Sequence, residues 1–371
     1  MNCSKESEYF QEQVSIAVSN ELKKRGHFPR PLKIFGLNSS KNYADSVAIN
    51  LGMQLTYHTE KFHEDGEPYV KSGAEYSDSP DGNVRGHDVF VIQSLYSDAT
   101  ETVSDKFMKL CFFCGSLKDA SAHEVIPIMP HLAWARQDRK TESRAPIATK
   151  YVAKMLESVG VSRAVFIDAH NLAAEQNAFS VPVDNLEAKN LIADLCSSRL
   201  IAENKTRNIK VLSPDGGGLS RCERFRNALL KRLREKGQEV ENIEIAIFDK
   251  LRKKGKATGG RIIGDVEDAD VIVYDDMIST GGTVHKATKS VLENKGRVWA
   301  ICATHGLFCG KADSIFDELE TKIIVTDTIP PFRLSETNRK KVIIVDTTKM
   351  VASAVKRIHS GTGSISELLR S

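Results

Sequence analysis

An apolar run from Asp270 ends in two adjacent carboxylates, Asp275 and Asp276. Met277-Ile278-Ser279 then leads into Thr280-Gly281-Gly282-Thr283, where a helical pattern begins. Glycines at such a turn let backbone N–H groups crowd around an anion, and the start of a helix adds partial positive charge. Thr280 and Thr283 add hydroxyl donors for phosphate oxygens. The acidic pair suits ribose hydroxyls, directly or through a cation. The chemistry implied is the holding of a phosphorylated sugar. An Asp-rich turn closing a core strand is the plainer alternative, and a bare Gly-Gly loop would not decide between them. The strand before it, the helix after it and the acidic pair favour the anion site.

Other segments carry chemistry less openly. Leu251–Arg261, LRKKGKATGGR, holds five basic residues and three glycines, with no apolar residue able to anchor it after Leu251. It reads as a mobile loop. His170 closes the run Ala164–Asp168-Ala169, where a lone histidine is either a satisfied polar residue or a ligand. Cys111-Phe112-Phe113-Cys114 has the spacing of a redox or zinc motif. No second half of a zinc site accompanies it, and the seven scattered cysteines read as buried thiols in a reducing compartment.

These residues need elements to position them. From Leu32, short apolar runs alternate with amphipathic stretches. Leu32–Leu37, Asp88–Gln93, His123–Ile128 and Ala164–Asp168 read as strands, and Tyr43–Leu51, Thr102–Ala120 and Ile147–Val159 as helices. The alternation restarts with strands at Ile209–Ser213, Ile243–Phe248, Asp270–Tyr274, Val298–Ala303, Lys322–Val325 and Val342–Asp346, and helices at Leu219–Lys236 and Thr283–Asn294. Stacked βα units of this kind imply an α/β fold with mostly parallel sheets. Tyr69–Gly82 reads as irregular. Ahead of the first strand, Phe10, Val14, Ala17, Val18 and Leu22 form one face of a helical extension.

The 371 residues suffice for two domains, and 52 basic against 49 acidic residues give a net charge of +3. That balance argues against a polybasic nucleic-acid binder and leaves room for a local anion site. No apolar run reaches the ~18 residues of a membrane span, and the polar N-terminus lacks a signal-peptide core. A cytoplasmic protein with no membrane or nucleic-acid partner is expected.

The chain resembles the ribose-phosphate pyrophosphokinase, or phosphoribosyl-diphosphate (PRPP) synthetase, family from about Leu32 almost to its end. NVRGHDVFVIQS (83–94), ARQDRK (135–140), SVGVSRAVFIDAH (158–170), SPDGGG (213–218), FDKLR (248–252), IIGDV (262–266), DDMISTGGT (275–283), ATHGLF (303–308) and DTIP (327–330) occur in the family's order. The resemblance implies two consecutive phosphoribosyltransferase-like domains, 32–183 on the ATP side and 184–345 on the ribose 5-phosphate side. Residues 1–31 would be the extension, and 346–371 a C-terminal helical segment that could pack back on the N-terminal domain. It further implies transfer of the β,γ-diphosphate of ATP to the 1-hydroxyl of ribose 5-phosphate, giving PRPP and AMP for nucleotide biosynthesis.

Residue by residue, the resemblance gives Lys250 and Arg252 the task of stabilising charge on the transferring diphosphate. His170 and Asp215 match magnesium-associated positions. Arg136, Gln137 and Asp138 match the ATP site, and Asp65-Gly66-Glu67 resembles an acidic turn that reads adenine from a neighbouring subunit. Asp275, Asp276, Ser279, Thr280, Gly281, Gly282 and Thr283 would hold ribose 5-phosphate. A homo-oligomer, a dimer or a larger assembly of dimers, is implied as well. The chain departs from the family pattern at Ser279, where an Asp is usual, at 171–179 and 62–86, which are longer, and at Trp134. Two other readings share some of these residues. One is a catalytically silent subunit associated with a synthetase. The other is a PRPP-consuming phosphoribosyltransferase, which would need DDMISTGGT but neither ARQD nor DKLR.

Overall fold

The computed structural model describes residues 30–74, 82–253 and 256–368, with the backbone alone for 250–253 and 256–259. The expected N-terminal helix lies outside the described residues.

The first half builds a five-stranded, all-parallel sheet in the order β1 (Leu32–Gly36), β4 (Asp88–Ile92), β5 (Glu124–Met129), β6 (Ala164–Ile167) and β7 (Val183–Leu186). Between β1 and β4 come helix α1 (Lys41–Leu51) and a separate antiparallel hairpin of β2 (His58–Phe62) and β3 (Pro68–Ser72). Helices α2 (Val103–Asp119), α3 (Ala148–Ser158) and α4 (Leu172–Ala178) follow β4, β5 and β6 in turn. The α2 helix begins in a capping box: Thr102 accepts from the Asp105 N–H, and the Asp105 carboxylate answers the Thr102 N–H. Strand side chains alternate between two dry faces, as a parallel sheet covered on both sides requires. Phe35, Val89, Val91, Val125, Met129 and Phe166 pack under α2 and α3. Ile34, Phe90, Ile92, Ile126, Ile128 and Val165 face the other way, into a core shared with the second half.

Helix α5 (Lys189–Ala202) leads to a seven-stranded sheet. Its elements in chain order are β8 (Ile209–Ser213), α6 (Leu219–Glu235), β9 (Glu244–Lys253), β10 (Lys256–Ile263), β11 (Asp270–Ile278), α7 (Gly282–Glu293) and β12 (Arg297–Gly306). There follow α8 (Ala312–Asp317), β13 (Lys322–Thr326), α9 (Glu336–Arg339) and β14 (Val342–Val345). The strand order is β10-β9-β8-β11-β12-β13-β14, parallel except for β10. The described residues of the segment expected to be a mobile loop, Leu251–Arg261, instead pair as an antiparallel ribbon, with Arg252 opposite Ala257 and Lys250 opposite Gly260. Main-chain pairing needs no apolar face, so a lack of apolar residues does not by itself imply an irregular chain.

Ile209, Val211, Ile272, Tyr274, Ala300 and Cys302 contribute to the shared core, while Leu212, Val271, Val273, Ile301 and Ala303 pack under α7 and α8. The last long helix, α10 (Thr348–Ser360), lies against α1 of the first half, and a short α11 (Ile365–Leu368) follows it. Polar ties support the contact: the Tyr43 hydroxyl meets Thr347 Oγ1 at 2.7 Å, and Asn50 Nδ2 donates to Thr348 Oγ1 at 3.0 Å. Cys111 and Cys114 sit on the buried side of α2, and burial pushes the Cys111 thiol up to about 12, so both act as packing groups. No helix among the described residues is long and apolar enough to cross a membrane.

Candidate active site

Strand order in the second sheet reverses at β8, which has β9 on one side and β11 on the other. At such a switch point the loops leaving the strand ends diverge and open a crevice. A cleft of about 1230 Å3 lies there, and the ends of β6 and the loop after β5 close its other side. It collects Arg136, Asp138, His170, Asp215, Asp275, Asp276 and Ser279 to Thr283. Residues assigned from separate motifs thus share one cavity.

The carboxylate pair is set at the end of β11. Asp276 is buried and its Oδ2 accepts from His170 Nδ1 at 2.6 Å, so a first-half histidine and a second-half carboxylate meet across the sheets. Arg221 Nη1 lies 2.7 Å from Asp275 Oδ1 and 3.3 Å from Asp276 Oδ1. Burial would raise the Asp276 carboxyl, but the His170 hydrogen bond and the Arg221 charge outweigh it and hold the group below the usual carboxylate range. The Asp276 hydrogen bond in turn raises His170 above its ordinary value, against the opposing effect of burial. Burial, then the neighbouring Asp276 charge, raise Asp275. The two neighbouring carboxyls are thus drawn in opposite directions, Asp276 down and Asp275 up.

Arg221 is missing from the residues that motif reading selects. A signal was present: it stands in the first turn of α6, where the helix dipole disfavours a cation, so it needs nearby acids. The loop before α6 is fixed by Asp215, whose Oδ1 accepts from the Gly218 N–H at 3.1 Å. In the TGGT loop, Gly281 has φ +76°, the left-handed region that only glycine enters cheaply, and α7 starts directly after it. The loop therefore lines the cleft at a helix N-terminus.

Asp168, two residues before His170, also has a left-handed φ of +45°. Its Oδ2 accepts from the Ala188 N–H at 3.0 Å and from Thr304 Oγ1 at 2.6 Å, which hold the turn that aims His170. His305, in the ATHGLF motif, is buried rather than in the cleft. Its Nε2 meets the Ile167 carbonyl at 3.0 Å and its Nδ1 meets Thr328 Oγ1, from DTIP, at 2.9 Å. These two motifs join the sheets beneath the site.

On the first-half wall of the cleft, Asp138 Oδ2 accepts from Asn171 Nδ2 at 2.6 Å. Gln137 does not line the cleft; its carbonyl faces the Thr149 N–H at the start of α3, 3.5 Å away. Asp65, Gly66 and Glu67 form the exposed tip of the β2–β3 hairpin, away from this cleft. The backbone of Lys250 and Arg252 is in β9, beside the cleft-lining Asp249, and their side chains lie outside the described atoms.

Residues 32–160 match the N-terminal domain of ribose phosphate pyrophosphokinase, and residues 238–370 match the phosphoribosyl synthetase-associated domain. Ribose-phosphate pyrophosphokinase 1 of Streptococcus pyogenes is 37% identical over 336 residues, 88% of this chain and 94% of that protein. The ribose-phosphate pyrophosphokinase of Hyphomonas neptunium is 33% identical across 91% of this chain and 99% of its own. The crystal structure of phosphoribosylpyrophosphate synthetase from Mycobacterium smegmatis superposes with a TM-score of 0.76 at 28% identity, covering 90% of this chain and 100% of that one. By these matches the chain belongs to the ribose-phosphate pyrophosphokinase family.

Proposed function

We infer that the protein transfers the β,γ-diphosphate of ATP to the 1-hydroxyl of ribose 5-phosphate, releasing AMP and PRPP. One observation carries this reading: a single cleft gathers Arg136 and His170 from the first sheet with Asp215, Asp275, Asp276 and the TGGT loop from the second. A transferase that consumes PRPP would need only the second group. A silent subunit would have no need to keep His170 paired to Asp276 beside Arg221.

In this reading the TGGT amides and hydroxyls hold the 5-phosphate at the N-terminus of α7. Asp275 and Asp276 take the sugar hydroxyls, exchanging part of their hold on Arg221. The freed guanidinium then stands where charge gathers on the diphosphate. Arg136 and Asp138 position ATP in line with the sugar, and Lys250 and Arg252 supply further fixed charge. The 1-hydroxyl oxygen bonds to the β-phosphorus as the bond from that phosphorus to the α-phosphate oxygen breaks; the hydroxyl proton passes to water and AMP leaves with the α-phosphate oxygen.

His170 and Asp215 would hold magnesium. A histidine and one carboxylate fit a hard cation that keeps water and phosphate ligands, and no three His, Cys, Asp or Glu side chains form a closed cage among the described residues. When bound, magnesium neutralises charge on the phosphates. The turn at 65–67 serves ATP from a second copy of the chain, since it does not reach its own cleft. The protein is therefore a homo-oligomer, and acts in the cytoplasm.

The test is incubation with ATP, ribose 5-phosphate and magnesium. Formation of AMP dependent on all three supports the synthetase. Its absence leaves the silent subunit or the PRPP-consuming enzyme.

A further inference from the structure

The β2–β3 hairpin belongs to neither large sheet, and two strands alone are marginally stable in water. It is held by the packing of Val70 on the first-half core and by a buried cluster of charge. Lys109, on α2, is 2% exposed, and its Nζ pairs with both Glu60 of β2 and Glu101 just before α2. The other Glu60 oxygen, Oε1, accepts from the Asn38 N–H and from His58 Nε2, each at 2.6 Å. The His58 ring packs against Phe35 and Phe113, at centroid distances of 6.3 and 5.8 Å. One carboxylate thus ties the hairpin to the turn after β1, to its own strand and to α2. One turn earlier on α2, Lys106 Nζ pairs with Asp98 at 2.5 Å and lies 3.8 Å from the Tyr96 ring centroid.

Two lysines on the buried face of a helix are explained only by the acids they meet. Separating buried charges is strongly unfavourable, so the cluster tolerates one placement of the hairpin and resists others. A surface pair would leave it free to swing. The tip of the hairpin is the turn Asp65–Glu67.

We infer that Lys109 is a positioning residue for ATP: through Glu60 it fixes the hairpin so that its tip meets the cleft of a second copy of the chain. The inference rests on the reading of the 65–67 turn given under Proposed function.

Steady-state AMP formation tests it in the full-length oligomer. Lys109→Met should raise the KM for ATP by ~10- to 100-fold, the scale of misplacing a substrate contact by about 1 Å. Turnover at saturating ATP and the KM for ribose 5-phosphate should stay within ~3-fold, the pattern of lost ground-state binding. Lys109→Arg should recover most of the ATP affinity. Co-expression of Lys109→Met with His170→Ala chains should restore a low ATP KM, because sound hairpins then face sound clefts. Where Lys109→Met does not fold, Glu60→Gln takes its place with the same expected pattern. A folded variant with unchanged ATP KM overturns the inference. So does a general loss of kcat and both affinities that co-expression leaves unrepaired. Wild-type protein that forms no AMP overturns the underlying reading and the inference together, whereas active wild type with an unmoved variant overturns the inference alone.

Discussion

Asp275 and Asp276 are adjacent in sequence yet meet different partners, and that difference defines their predicted variants. Asp275 pairs with Arg221 and accepts from the Asp276 N–H, whereas Asp276 pairs with both Arg221 and His170. Asp275→Asn should weaken ribose 5-phosphate binding in a titration while changing ATP affinity less. The reverse ranking would mean the two subsites are interchanged. Lys250→Ala should lower turnover by at least ~10²–10³, the cost of removing one preorganised donor from a transition state, with no loss of secondary structure. Turnover within ~3-fold of wild type would remove Lys250 from the mechanism. Glu175, on α4, is buried with both carboxyl oxygens unpartnered, and burial, then the Asp138 charge, raise it from 4.5 to about 8. The folded protein therefore keeps a proton there that the unfolded chain releases, and stability falls as pH rises through about 4.5 to 8. Glu175→Gln stays neutral throughout, so its melting temperature relative to wild type should climb across that window. A constant difference would mean that Glu175 is ionised in the fold. Motif order made Asp275, Asp276, His170 and Asp215 legible in the sequence. Arg221 offered only its place in the first turn of a helix and Glu175 offered nothing, because their significance lies in partners or burial that only the packed chain creates.

Elements explain why the TGGT loop was legible and the hairpins were not. The run from β11 through the TGGT loop into α7 is local, so strand, turn and helix signals lie side by side in the sequence. Gly281→Ala tests the loop. With φ at +76°, a Cβ adds about 1–2 kcal/mol of strain. The TGGT amides should then shift, raising the KM for ribose 5-phosphate well above wild type while leaving that for ATP near its original value. Equal changes in both would argue against a separate sugar-phosphate cradle. The β2 strand, HTEKF, shows no apolar alternation, since its inward group is the carboxylate of Glu60. The β9–β10 ribbon likewise depends on main-chain pairing rather than on side-chain pattern. Polar anchors and backbone ladders leave little trace in hydrophobic periodicity.

Across the whole molecule, one core runs between the two sheets, and the cleft opens at its rim. Thr304 to Asp168, His305 to the Ile167 carbonyl and Ser94 Oγ to the Thr328 carbonyl tie the halves beneath the site. The relative position of the two walls of the cleft is thus set by buried struts, which explains why ATHGLF and DTIP read as motifs without lining the cleft. Residues 1–29 contribute none of the matched motifs, and their deletion should preserve AMP formation while changing assembly or solubility; light scattering beside the assay checks this. Complete loss of activity at unchanged mass would bring that segment into the active site. The central claim is that a diphosphate, not a single phosphate, moves from ATP to the sugar. Phosphorus NMR of the reaction with ATP, ribose 5-phosphate and magnesium tests it most directly. The account predicts AMP and a new diphosphate coupled to the sugar C1, appearing in equal amounts. ADP with a singly phosphorylated C1, or ATP left intact under saturating substrates, would contradict it.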